Sequence, residues 1–220
     1  MSINPPMVSC PSQLSLHEQA SETRAEVEHF IHDRFVTEHN AEVRDFLPTL
    51  VSCRGTQGEL MAAAGFQLAS EGVLFLEAYL DAPIEACLAS LGTTGCSRDR
   101  IVEVGNLATQ RPGQARQLII TLAAWFHRRQ LEWAVLTLTP VLINSFRRLG
   151  LEVHLLAEAV QSRLLHSLSD WGHYYAQHPR VVAVSIPASA RHLRKAAQAH
   201  RHRPRGGISK GHNNGDRPHV

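Results

Sequence analysis

The sequence has no long hydrophobic run. The stretch 118–126 is the longest and is interrupted by Thr121, whereas a bilayer-spanning helix needs ~20 apolar residues. No transmembrane segment is expected. Paired cysteines are also missing. Cys10, Cys53, Cys87 and Cys96 stand far apart and form no CxxC, which argues against a disulfide framework or a zinc site and suits a reducing, cytoplasmic setting. Residues 1–13 contain neither a basic segment nor an apolar core, so no standard secretory signal is expected. An excess of one charge sign is nearly absent too: 22 Lys/Arg face 20 Asp/Glu in 220 residues, a formal net charge of +2. That balance hides an asymmetry. From Ser189 onward there are eight Lys/Arg and one Asp, so the basicity belongs to the tail and the preceding part is mildly acidic. The folded part therefore gives no charge argument for nucleic acid, and no specific nucleic-acid partner is expected.

What remains is the composition of an ordinary globular chain, 44% hydrophobic with 14 Gly and 11 Pro. Residues 1–20 are Pro/Ser-rich and aperiodic and read as a flexible leader. Thr23 and Glu26 have the spacing of a capping box, opening a helix to about Glu38 with Val27, Phe30, Ile31 and Phe35 on one face. A short helix over 41–46 should stop before Pro48. The period then changes to two. Residues 49–53 and 60–68 read as strands, and 73–80 as a third with Glu77, Tyr79 and Asp81 on one face. A helix over 83–91 has Pro in its first turn.

Strand 100–108, helix 113–129, strand 133–139, helix 140–149 closed by Gly150, and strand 151–157 follow with short connections. That series predicts an α/β fold with a mixed, partly parallel sheet covered by helices. A helix over 163–175, a strand over 180–186 and a short helix over 188–199 complete the reading. Residues 200–220 have almost nothing apolar to bury and are expected to be disordered. One domain over 21–188 thus lies between the leader 1–20 and a basic His/Arg-rich tail, 189–220.

Gln110-Arg111-Pro112-Gly113-Gln114-Ala115 follows a strand and opens the long helix. It fits Q/R-x-x-G-x-G/A and so resembles the pyrophosphate loop of GNAT acyltransferases. Small residues at such a turn let backbone N–H groups approach an anion, and the helix N-terminus adds a favourable dipole. Arg111 and Arg116 supply positive charge, while Pro112 removes one donor. A glycine-containing turn that binds nothing satisfies the same pattern. Downstream, Ser145-Phe146-Arg147-Arg148-Leu149-Gly150-Leu151 has the spacing at which GNAT proteins carry an aromatic, two polar residues, an apolar one and Gly-Phe. Many GNAT enzymes place a tyrosine at that aromatic position to protonate the leaving thiolate. Phe146 has no hydroxyl. As a plain helix end, the segment needs only a left-handed Gly150.

From about Arg24 to Ile186 the chain resembles the bacterial thermostable hemolysin family. The resemblance is carried by LFLEAYLDAPIEACLA, RIVEVGNLA, Ala123-Ala124-Trp125, the strand beginning at Trp133, NSFRRLGLE and WGHYYAQHPRV. It implies a GNAT-like splayed sheet, distantly similar to acyl-homoserine-lactone synthases. By the same resemblance, an acyl group passes from acyl-CoA or an acyl-carrier protein to a small-molecule or lipid-like acceptor bearing an amine or hydroxyl. The chain departs from the family pattern at Leu138, where a small residue is usual, at Ile143, where Arg is common, and at Val184-Ser185, where Gly-Asp is usual.

Glu103 is the polar residue of an otherwise apolar strand, on the side of Ile101 and Gly105. In the GNAT-like reading it lies beside the splayed strand that receives the thioester and acts as general base or holds a base water. Partial burial would raise its pKa to suit; an ion pair with an arginine would make it structural instead. Asn106 either orients the acyl carbonyl or satisfies a strand end. Tyr79, with Glu77 and Asp81, lines an acceptor cleft and supplies the acid that Phe146 cannot, or the row is a solvated strand face. Trp171, Tyr174 and Tyr175 either pack or line a pocket. His29 and His32 share a helix face with no third ligand nearby, so no metal is expected. Two other function classes stay open: membrane lysis, as the family name suggests, and non-catalytic binding on the same fold.

Overall fold

The computed structural model describes residues 14–92, 96–111, 113–165 and 167–201. Seven strands, β1 (Ser15–His17), β2 (Thr49–Arg54), β3 (Leu60–Leu68), β4 (Ile101–Thr109), β5 (Trp133–Leu138), β6 (His154–Glu158) and β7 (Arg180–Ser185), form one sheet in the order β1-β2-β3-β4-β5-β7-β6. Helices α1 (Arg24–His39), α2 (Ile84–Ala89), α3 (Gln114–Arg128), α4 (Pro140–Arg148) and α5 (Ile186–Arg201) accompany it. Only β4 and β5 are parallel; every other neighbouring pair is antiparallel. Helix α3 is the crossover that a parallel pair requires, and β7 inserts antiparallel between β5 and β6. The fold is the expected mixed α/β sheet.

Alternation along β4 divides the core between the two faces of the sheet. Val102 and Val104 pack with Leu118, Leu122 and Phe126 of α3 and Phe146 of α4. Ile101 packs on the other face with Leu74, Leu76 and Ile84, beside a cluster of Val27, Ile31 and Phe35 from α1 with Trp171.

Strands β4 and β5 stay paired only from Ile101–Trp133 to Val104–Leu136 and then part. The register between β3 and β4 slips after Ala63, so Asn106 and Leu107 stand opposite Ala64 alone. Asn106 takes a φ of +49° there, a conformation asparagine tolerates better than most residues. Such a bulge bends its strand and adds twist, which turns the end of β4 away from β5. The bend is fixed from outside: Asn106 Oδ1 accepts the Leu47 N–H at 3.0 Å and its Nδ2 donates to the Asp45 carbonyl at 3.0 Å. A Cβ on Gly65 would lie 2.8 Å from Asn106 Oδ1, so the facing position has to be glycine.

Three expected elements do not form. Residues 73–80 are not a strand; Phe75–Tyr79 is a 3-10 helix. The Glu77 carboxylate accepts the Leu74 N–H at 2.7 Å and Leu80 N–H bonds the Glu77 carbonyl at 3.1 Å, closing the chain on itself. Residues 41–46 are extended rather than helical, because Glu42 bridges Asp170 and the Asp45 carboxylate accepts bonds from Ser167 and Ser169. The helix over 163–175 is replaced by irregular chain between short 3-10 turns at Gln161–Arg163 and Tyr175–Gln177. There Gly172 passes so near the end of α1 that a Cβ would sit 2.1 Å from the Asn40 carbonyl oxygen.

Smaller differences follow the same logic. Thr23 stands at the N-cap of α1 without a side-chain cap, its hydroxyl bonded instead to His17 Nδ1 at 2.7 Å. Strand β1 lies inside the segment read as leader, β6 starts at His154 rather than 151, and α5 begins at Ile186 and runs to Arg201. Gly150 takes the expected left-handed conformation, φ +74°. The expectations for Cys10, Pro112 and 202–220 lie outside the described residues.

Candidate functional site

A cavity of about 690 Å³ occupies the fork between β4 and β5. Its walls come from both faces of the sheet: Ala115 of α3 and Leu142 of α4 on one, Phe35 and His39 of α1 on the other, with Val104–Asn106 and Leu136–Thr139 between them. Glu103, Tyr79, Asn106 and Ala115 all line it. With Trp171, Tyr174 and Tyr175, seven of the residues weighed for function in the sequence are therefore brought to one place.

Glu103 is 3% exposed and has no arginine partner among the described residues. Its Oε1 accepts the Leu76 N–H at 3.1 Å, while Oε2 is buried with no hydrogen-bond partner. Burial pushes the carboxyl up to about 8, with Glu77 adding to the rise and the Leu76 and Phe75 N–H groups opposing it. A carboxyl with that pKa, one oxygen unpartnered and the residue lining a cavity, is suited to exchange protons near neutrality.

Tyr79 is fully buried rather than set on a strand face, and its hydroxyl bonds the Tyr175 hydroxyl. Burial, then the neighbouring tyrosines and Glu103, raise it well above the ordinary tyrosine range, so it holds its proton tightly. Glu77 and Asp81 do not share a cleft with it. Glu77 is tied to Arg98 and Asp81 is exposed against Arg163. Both amide groups of Asn106 are engaged by the backbone of 45–47, and its geometry is that of a residue shaping the fork.

The turn before α3 is built for an open backbone. Gly113 is the N-cap, with φ +92°, and a Cβ there would meet nothing within 4 Å. Three donors are already used: Gln110 N–H bonds the Met61 carbonyl at 2.9 Å, Arg111 N–H bonds Gln114 Oε1 at 2.8 Å and Gln114 N–H bonds the Arg111 carbonyl at 3.3 Å. First-turn N–H groups of α3 have no acceptor within the helix, and Arg111 is exposed beside them. The turn thus offers space, a helix dipole and a cation to an anionic group. The Arg116 side chain lies outside the described residues.

Trp171, Tyr174 and Tyr175 line the cavity, together with Phe35 and Phe75, which no sequence signal marked. Tyr174 donates to the Thr137 carbonyl at 3.3 Å. Thr137 itself lines the fork with a buried, unpartnered Oγ1; its place on the expected strand was its only trace in the sequence. Phe146 is core, 3% exposed and away from the cavity, so the fold puts no leaving-group acid there. Leu138, Ile143 and Val184, the departures from the family pattern, are buried apolar residues of the same core.

Among solved structures, the CoA-dependent acyl-homoserine lactone synthase BjaI with SAM and isopentyl-CoA superposes with a TM-score of 0.56 at 13% identity, covering 84% of this chain and 89% of that one. TofI in its apo form gives 0.54 at 16% identity over 81% and 96%. FeeM, an N-acyl amino acid synthase from uncultured soil microbes, gives 0.51 at 13% over 80% and 93%. At these identities the likeness is one of fold. No curated protein matches the sequence. The profile described as thermostable hemolysin matches residues 17–190, the sheet and every helix bounding the fork, and the chain belongs to that family.

Proposed function

We propose that the protein transfers an acyl group from a thioester donor, acyl-CoA or an acyl-carrier protein, to the amine or hydroxyl of a small-molecule or lipid-like acceptor. One observation carries the reading: a buried carboxyl with an unpartnered oxygen, Glu103, in a cavity that parts the sheet between β4 and β5. The donor's phosphates lie at the Gly113 turn, with Gln110, Arg111, Gln114, Ala115 and Arg116 around them, and its thioester enters the fork. Beyond Val104 and Leu136 the two strands no longer pair with each other, so their facing backbone groups are available to the thioester carbonyl.

Glu103 Oε2 takes the proton of the attacking N–H or O–H. The new C–N or C–O bond forms as the C–S bond breaks, and the sulfur leaves as thiolate. A thiol pKa of ~8.5 lets it leave without a protein acid, which suits a site where Tyr79 holds its proton and Phe146 has none. The proton on Glu103 then passes to water. The neighbour named an N-acyl amino acid synthase favours an amine acceptor. The catalytic body is the sheet with its helices, from β1 to α5, and the cytoplasm is its compartment, in keeping with the free thiols of Cys87 and Cys96. Among the described residues no helix is long and apolar enough to cross a membrane.

A second reading is donor binding without catalysis, favoured by the engagement of Asn106 and Tyr79 in structural bonds. The full chain mixed with acyl-CoAs and acyl-carrier proteins, with and without a panel of amines, distinguishes the two by free-thiol release. Release that depends on the amine supports transfer. Binding without release supports the second reading, and absence of binding defeats both. Arg111→Ala should weaken donor binding by about 1–3 kcal/mol if it contacts phosphate.

A further inference from the structure

Ion pairing in this molecule sorts by location. Eight arginines, from Arg24 to Arg180 and all outside α3, α4 and α5, each pair with a carboxylate. Helices α3, α4 and α5 contain no Asp or Glu. Arg128 and the adjacent Arg129 at the end of α3, Arg147 and Arg148 at the end of α4, and Arg191, Arg194 and Lys195 on α5 are all exposed. None of them has a carboxylate partner among the described residues.

These cations converge. Arg194 Nη2 lies 3.4 Å from His127 Nε2 near the end of α3, and the His192 ring rests against Gly150 just past α4. Interspersed carboxylates would relieve the repulsion within such a face. Their absence from three helices, in a chain that pairs its other described arginines except Arg111, marks a surface made for an anionic partner.

The shape of the face selects the partner. The cations stand on the outer surfaces of helices, and the depression at Asn144, Arg147 and Arg148 is shallow, a poor seat for an acidic peptide. The Trp125 ring beside them is covered by the Arg129 guanidinium at 3.5 Å, which closes that face to a stacking nucleic-acid base. A carrier protein delivering a thioester would have to dock beside Gly113, and Arg128 is at the opposite end of α3, about 20 Å away for a helix of 15 residues. What fits is a planar array of phosphates met by a polybasic amphipathic helix. Helix α5 buries Ile186 and Ala190 and turns its cations outward, and the sequence past residue 201 adds four Lys/Arg against one Asp.

We propose that the α3–α4–α5 face docks the protein on anionic phospholipid membranes, its arginines bonding headgroup phosphates. The assignment is independent of the acyl-transfer reading. The test is co-sedimentation of the full chain with vesicles of phosphatidylcholine alone and of equal parts phosphatidylcholine and phosphatidylglycerol, at low and physiological salt. Binding should be confined to the anionic vesicles and weaken with salt. Combining Arg147→Gln, Arg148→Gln, Arg191→Gln and Arg194→Gln should lower it ~10-fold or more, with the melting temperature held. Neutralising the paired, exposed Arg44 and Arg100 should change it little. Absence of binding to anionic vesicles would overturn the proposal. So would full binding by the fourfold variant while deletion of residues 202–220 abolishes it, or tighter binding to duplex DNA at equal phosphate concentration.

Discussion

Glu77 and Glu103 both bond the backbone around the same 3-10 turn, Glu77 through the Leu74 N–H and Glu103 through the Leu76 N–H. Burial raises both carboxyls. For Glu77 the rise is overcome by Arg98 and by the Ile84 and Leu74 N–H groups, which hold it at about 2. Glu103 has backbone donors alone and one oxygen with no partner, and it stays at about 8. The two differ in depth and in partners: Glu103 is buried and Glu77 half-buried, and among the described residues only Glu77 has a guanidinium. A carboxylate given a guanidinium and two amides becomes an anchor: Arg98 also bonds Glu85 and the Ala69 and Gly72 carbonyls, tying α2 and the 69–72 turn to the 75–79 turn. One left short of donors keeps a proton it can exchange.

The largest expected effect separates the two roles at Glu103. Glu103→Gln should lower the rate of thiol release ~10²- to 10⁴-fold, the contribution of a positioned general base, with the melting temperature not reduced. The wild-type rate should climb as pH rises through about 8, where the base form appears. Stability should run the opposite way. Because its folded pKa is raised, Glu103 destabilises the fold progressively from the ordinary carboxyl range up to about 8. The glutamine variant should lose that slope. A pH–rate profile flat between 7 and 9 would show that Glu103 is not the base.

Arg98→Met leaves Glu77 half-buried with the Leu74 and Ile84 N–H groups but no cation, closer to the situation of Glu103. It should cost about 2 kcal/mol or more, since charged hydrogen bonds are lost and a carboxylate is left unpaired. The sign at Glu77 is that of a depressed pKa. Its contribution is fully present above the unfolded carboxyl pKa and is lost as pH falls from there toward 2. Wild type should therefore lose stability in acid more steeply than the variant. Equal acid slopes in urea melts would mean that the Arg98 cluster is not what holds Glu77 ionised.

The sequence made Glu103 legible and Glu77 misleading, for one reason. Glu103 is a lone carboxylate in a strand of Ile, Val and Gly, and β4, α3 and β5 are elements whose period, Gly113 and short links are written locally. Glu77 alternates with Phe75 and Tyr79 as a strand residue would. Its true partners, Leu74 three residues back and Arg98 twenty-one residues on, turn that segment into a 3-10 helix. The fork is half legible. Asn106 and Gly65 carry the bulge, but that the bulge opens a cavity depends on the 45–47 chain, whose extended form Asp45 and the distant Ser167 and Ser169 impose. Thr137 had no local signal beyond its strand, because what makes it notable is the missing partner of its hydroxyl.

His17 is buried like Glu103, and its supply of partners lies between those of Glu77 and Glu103. Both ring nitrogens are bonded, but by neutral hydroxyls: Nδ1 to Thr23 at 2.7 Å and Nε2 to Ser52 at 2.9 Å. Burial lowers its pKa, Arg54 and Arg24 lower it further, and Glu26 opposes them, so the neutral ring fixes β1 onto β2 and the start of α1. The folded pKa lies below the unfolded one. Stability from this site is therefore fully present above the unfolded histidine pKa of ~6.5 and declines as pH falls below it. The slope can reach at most about 1.4 kcal/mol per pH unit, one proton's worth, and only an edge strand of three residues depends directly on it. This is the smallest of the three effects. His17→Gln should remove the difference in stability between pH 6.5 and 5 that exceeds what the other histidines contribute, and amide exchange in wild type should quicken at Ser15–His17 before the rest of the sheet. If the variant keeps the full acid slope, burial against neutral partners does not set the proton affinity at His17, and the contrast between supplied and unsupplied groups holds for carboxylates alone.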